Sequence, residues 1–120
     1  MANLKSVYLP DSLRVIGSSS FTDCVNLETI NLNDEIYHIG GNAFSKCYKL
    51  NLNALPKKLK EIGSAAFLLC GPGLTITSLP TELVAIPAFT FYGCENVKIS
   101  TFGSNNGENK LVEIGSQSFQ

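Results

Sequence analysis

From Leu4 onward the apolar residues fall at fixed intervals. Leu4, Val7, Leu9, Leu13 and Ile16 are followed by Gly17, Phe21 and Cys24, and the same order returns at Leu27, Ile30, Leu32, Ile36, Ile39, Gly40, Phe44 and Cys47. The string Ile-Gly-x-x-x-Phe-x-x-Cys also starts at Ile62, recurs as Ile86-Pro87 with Pro in place of Gly, and begins again at Ile114-Gly115, reaching Phe119. Units counted from the first Leu or Val begin at Leu4, Leu27, Leu50, Leu74 and Val97, in steps of 23, 23, 24 and 23. A unit this short cannot enclose its own apolar side chains, so each must lay them against the next, which makes the chain a solenoid.

Within a unit, the Leu-x-x-Val-x-Leu block suits a short strand, and equivalent strands in successive coils would pair in parallel. The Gly after Ile marks a turn, and Ser18, Ser64 or Ser116 beside it would cap a short helical turn carrying Phe and Cys. The later blocks, Leu50-x-Leu52-x-x-Leu55, Leu74-x-Ile76-x-x-Leu79 and Val97-x-Ile99-x-x-Phe102, slip by one residue. Because alternate strand residues face opposite ways, this slip requires two strand geometries in one stack.

The full pattern, Leu-x-x-Ile-x-Leu-Pro-x-x-Leu-x-x-Ile-Gly-x-x-x-Phe-x-x-Cys, resembles the BspA-like class of leucine-rich repeats found in bacterial and protist surface proteins and phage-associated sequences. The resemblance covers essentially all 120 residues. It implies an α/β repeat solenoid, with short parallel strands on a concave face and short helical or 3₁₀ turns on the convex one. It also implies a non-catalytic protein- or glycan-binding or adhesion module at an extracellular or cell-surface location. The alternative is a structural or assembly segment of a phage or cell-surface particle. The chain reads as one solenoid domain over residues 1–120, elongated because its core is divided among coils. The start on Leu4 and the stop inside a fifth unit lead us to expect a piece of a longer protein with uncapped ends available for self-association.

Composition narrows the function. Nine Lys and Arg against ten Asp and Glu give a formal charge of −1, too little to attract nucleic acid or an anionic membrane surface. No apolar run approaches the length of a membrane span and Met1-Ala2-Asn3-Leu4-Lys5 is not a signal-peptide start, so neither membrane insertion nor an export signal is expected within these residues. The four cysteines are one per coil with no Cys-x-x-Cys pair, which points to buried thiols rather than to a metal or disulfide framework. His38 is the single histidine and is expected on a polar turn. No phosphate loop, catalytic constellation or cofactor site is expected.

Two surfaces remain. The outward strand positions Ser6, Tyr8, Thr29, Asn31, Asn51, Asn53, Thr75, Thr77, Lys98 and Ser100 form a polar row suited to hydrogen-bonding a protein or glycan. Leu68 and Tyr92, with Leu69 and Phe89 nearby, place apolar groups where earlier units are polar, a candidate interface for self-association or docking. Aligned by coil, one column reads Asp11, Asp34, Lys57, Thr81 and the next Ser12, Glu35, Lys58, Glu82, so unlike charges are expected to meet across coils and set register. The segment Gly103–Lys110 reads as a surface loop.

Overall fold

The repeat closes into coils that meet their neighbours through short strands along two edges, the third coil having a strand on one edge only. The computed structural model describes residues 3–99, 101–102, 113–115 and 118. One ladder contains β1 (Ser6–Val7), β3 (Thr29–Ile30), β6 (Ser78–Leu79) and β8 (Thr101–Phe102). The other contains β2 (Val15–Ile16), β4 (His38–Ile39), β5 (Glu61–Ile62), β7 (Ala85–Ile86) and β9 (Glu113–Ile114). Strand pairing among the described residues is parallel and keeps the repeat register, as in Ile16 beside Ile39 and Ile39 beside Ile62.

The core is columnar. Phe21, Phe44, Phe67 and Phe91 stack face to face, with ring centroids 5.4, 5.2 and 5.7 Å apart. Leu27, Ile36, Ile39, Leu50, Leu59, Leu74 and Leu83 are fully enclosed around that stack. At roughly 1.5–3 kcal/mol for each large side chain buried, this stacking outweighs any surface contribution.

The slipped register appears as two strand positions. In the first two units the strand begins two residues after the leading Leu, at Ser6 and Thr29; in the fourth and fifth it begins four residues after, at Ser78 and Thr101. The third unit has only an isolated bridge, Leu52 beside Leu74. The first ladder is therefore interrupted at the third coil, which pairs with no strand of the second and meets the fourth only through that bridge. The second ladder breaks between the third and fourth coils: β2, β4 and β5 form one sheet, and β7 and β9 another. The cause is Pro87. Gly40, Gly63 and Gly115 each donate their N–H to the Ile carbonyl of the coil before, at 2.8, 2.8 and 2.6 Å, and proline has no N–H to offer Ile62.

The expected helical turn is absent: among the described residues Phe and Cys sit on consecutive four-residue turns. Ser20, Thr22 and Cys24 donate N–H to Gly17, Ser19 and Phe21 within the coil, while Ser19, Phe21 and Asp23 donate to Gly41, Ala43 and Ser45 of the next. Left-handed backbone recurs at two columns, Ser19, Asn42, Ala65, Phe89 and Asp23, Lys46, Leu69, Gly93, with φ between 55° and 76°. Each such residue turns its coil out of the helical path, so alternate N–H groups point across the stack instead of along a helix axis. The capping serines also differ from expectation: the hydroxyls that bond the turn are Ser20 to Gly17 O, Thr90 to Pro87 O and Ser118 to Gly115 O.

The molecule is less elongated than expected. Its radius of gyration is 13.1 Å and its extents are 42 × 33 × 20 Å, close to the ~13.5 Å of a compact domain of this length. So few coils make a slab rather than a rod. Gly103–Lys110, Ser116 and Phe119 lie outside the described residues.

Candidate functional site

The polar row lies along the first ladder. Ser6, Tyr8, Thr29, Asn51, Asn53, Thr75, Thr77 and Lys98 are exposed, and Tyr8 is almost entirely so at 93%. Ser100 lies outside the described residues. Asn31 departs from the expectation: it is half-buried and its amide is spent on the preceding coil. Its Oδ1 accepts the Leu9 N–H at 2.6 Å and its Nδ2 donates to the Leu9 carbonyl at 3.0 Å. Asn31 thus completes the ladder where strand pairing ends. Ser6 and Thr29 join their hydroxyls at 2.9 Å across the same two coils.

Three shallow depressions open along this face. One of about 350 Å³ is lined by Ser6, Val7, Tyr8, Thr29, Ile30 and Asn31. A second, about 330 Å³, lies among Asn51, Leu52, Asn53, Gly73 and Thr75. The third, about 350 Å³, occupies the step from the third coil to the fourth and is lined by Ala54, Leu55, Lys57, Ser78, Leu79, Pro80 and Thr81. The sequence reading did not single out that last set, because the pairing gap that creates it is visible only in three dimensions.

The apolar group behaves differently. Leu68, Leu69 and Tyr92 are half-buried, and Phe89 meets Tyr92 edge-on with centroids 5.6 Å apart. Leu69 packs against Gly93, whose missing Cβ leaves the room it fills. Much of this candidate interface is consumed by local packing.

His38 is not on a turn. It stands in β4 and its Nδ1 lies 3.1 Å from Glu61 Oε1 of the adjacent strand β5. Beside it a wider depression of about 520 Å³ is lined by Tyr37, Lys60, Glu61, Glu82 and Val84, a second surface that sequence reading missed. The charge columns meet as expected at one rung: Lys58 Nζ is 2.9 Å from Glu35 Oε2, and the Lys57 N–H donates to Asp34 Oδ1 at 3.1 Å.

All four cysteines are free and buried. Three donate to the preceding coil: Cys47 to Phe21 O at 3.1 Å, Cys70 to Phe44 O at 3.1 Å and Cys94 to Phe67 O at 2.9 Å. Burial pushes the Cys24 thiol up, and raises Cys47 to about 12. Proximity to the Cys94 thiol, reinforced by burial, raises Cys70, and the same proximity lowers Cys94. Among the described residues no group of three or more His, Cys, Asp or Glu side chains converges to hold a metal. Among them, too, no helix is long and apolar enough to cross a membrane.

Parallel ladders, stacked phenylalanines and a periodic coil define a leucine-rich solenoid. The chain belongs to the BspA type leucine rich repeat region family, whose model matches residues 1–120 in six copies. No curated protein matches its sequence. Among solved structures it is similar to the T. pallidum leucine-rich repeat protein, at 30% identity and a TM-score of 0.61, over 95% of this chain and 61% of that one. It also shares its fold with a leucine-rich cell surface protein of Faecalibacterium prausnitzii, at 19% identity and TM-score 0.56, over 93% of this chain and 41% of that one. A leucine-rich repeat protein of Bacteroides ovatus matches at 24% identity and TM-score 0.55, over 95% and 40%. The chain thus spans between two fifths and three fifths of these proteins.

Proposed function

We propose that this chain is a non-catalytic binding module that takes a protein or glycan partner on the polar face of its first ladder, in an extracellular or cell-surface setting. The observation that carries the reading is coincidence: the exposed row and three depressions occupy one face, built by equivalent positions of successive coils. Short polar side chains on a stiff backbone offer hydrogen bonds at little entropic cost, and an exposed tyrosine adds a flat apolar contact. That one structural neighbour is described as a cell surface protein supports the location.

The alternative, a particle-assembly segment that self-associates through the Leu68, Leu69, Phe89 and Tyr92 group, has less in its favour because Leu68, Leu69 and Tyr92 are half-buried and Phe89 packs edge-on against Tyr92. Immobilised chain offered glycan arrays and bacterial or host surface proteins tests the reading. A partner captured by the parent and released by Tyr8→Ala with Asn53→Ala supports it. Capture unaffected by both changes, with self-association abolished by Leu68→Ser, overturns it.

A further inference from the structure

At the step from the third coil to the fourth, where β6 finds no strand partner and the second ladder ends, a depression opens on the polar face. Two independent irregularities coincide there. The strand slip leaves the third coil without a first-ladder strand, so β6 pairs with β8 alone and its other edge is unpaired. Pro87 ends the second ladder at the same step. The resulting depression has apolar walls from Ala54, Leu55, Leu79 and Pro80 and a polar rim of Lys57, Ser78 and Thr81.

Charge says what fits. In the column Asp11, Asp34, Lys57, Thr81, the cation has a carboxylate on the second-coil side, where Asp34 Oδ1 accepts its backbone N–H. On the fourth-coil side, where the depression opens, the column offers Thr81 instead of an acid. The neighbouring Lys58 is matched to Glu35, whereas Lys57 forms no ion pair among the described residues. A ligand entering here meets an apolar hollow one side chain deep beside an unmatched ammonium.

We infer that this depression seats an aliphatic side chain of an extended partner peptide, with an adjacent carboxylate of that peptide paired to Lys57. The inference rests on the binding-face reading and names a partner class for it: an acidic, aliphatic protein segment, not a sugar. Neither anchor is strong alone, because the pocket is open and the ammonium is solvated. Together they define a two-point, orientation-specific site.

Fluorescein-labelled Gly-Ser-Leu-Asp-Gly-Ser, followed by anisotropy, is the probe, with the Leu→Ser and Asp→Asn peptides as controls. Ala54→Phe fills the hollow from an exposed position, and Lys57→Gln removes the cation. The site requires that the parent bind the probe, that Ala54→Phe weaken it about tenfold or more, and that Lys57→Gln weaken it about threefold and remove most of its salt dependence. Lys46→Gln, at an exposed position between Phe44 and Cys47 that lines none of the three depressions, leaves this affinity unchanged. No binding, equal binding of the control peptides, or binding indifferent to Ala54→Phe overturns the site. If arrays then show a ligand lost with Tyr8→Ala, the binding-face reading survives without it; if no ligand of any class is captured, both fail.

Discussion

The thiol of Cys70 donates to the backbone carbonyl of Phe44, 26 residues earlier and one coil away, at 3.1 Å. The same carbonyl accepts the N–H of Cys47 in its own coil, so the carbonyls of Phe21, Phe44 and Phe67 are each closed by one cysteine of their own coil and one of the next. Cys24, with no earlier phenylalanine to meet, lacks this bond. Replacing Cys70 by Ala should cost about 2 kcal/mol and replacing Cys24 about 1 kcal/mol, the difference being one buried hydrogen bond. Urea denaturation of the two variants beside the parent measures it.

The same thiols set an alkaline limit. Cys47 is raised from an ordinary value of 9.0 to about 12 by burial, so between those values the folded chain holds a proton that the unfolded chain has lost. Stability therefore falls as pH rises through this window, and is unaffected by this group below it. Denaturation midpoints should be flat with respect to Cys47 from about pH 6 to about 8.5 and decline toward about pH 12, and Cys47→Ala should shallow the decline. A parallel fall in parent and variant would contradict the assignment.

Gly63 and Gly17 hold the same repeat position with opposite consequences. A Cβ on Gly63 would lie 2.2 Å from Gly41 N and 2.5 Å from Gly41 Cα, whereas one on Gly17, in the first coil, meets only the Ser20 hydroxyl at 3.4 Å. Gly63→Ala should cost about 3 kcal/mol or more, since backbone must move, and Gly17→Ala less than about 1 kcal/mol. Thermal melts of both variants decide whether the glycine serves coil contact or a turn, since in the second case the two would suffer alike.

Asn31 and Tyr8 divide stability from binding. Asn31→Ala strips both backbone groups of Leu9 of their partner and should cost about 1–3 kcal/mol. Tyr8→Ala, at an almost fully exposed position, should leave stability within about 0.5 kcal/mol. Any ligand loss in the first variant must then be read against its melting curve, while loss in the second reports the surface directly.

The periodicity made the solenoid and its parallel register legible before any coordinates, because burying Leu, Ile and Phe leaves a mark at every coil. The slip at Leu52 and Ile76 foretold two strand positions, and the columns holding Glu35 and Lys58 foretold their ion pair. The turns were misread because left-handed backbone is announced only by residues such as Asn42 and Gly93; Ser19, Ala65 and Phe89 occupy it under the compulsion of neighbouring coils, with no local signal. Asn31 and His38 look like surface polar residues in a linear chain. Only stacking brings Leu9 and Glu61 beside them.

Each coil that carries both residues offers a phenylalanine carbonyl toward one side and a cysteine thiol toward the other. A duplicated coil therefore arrives with its own donor and its own acceptor, and a deleted one removes both together. The architecture can change in length by whole coils, through recombination between its repeats, without inventing a new contact, and what varies from copy to copy is left to the outward positions where a partner would read it.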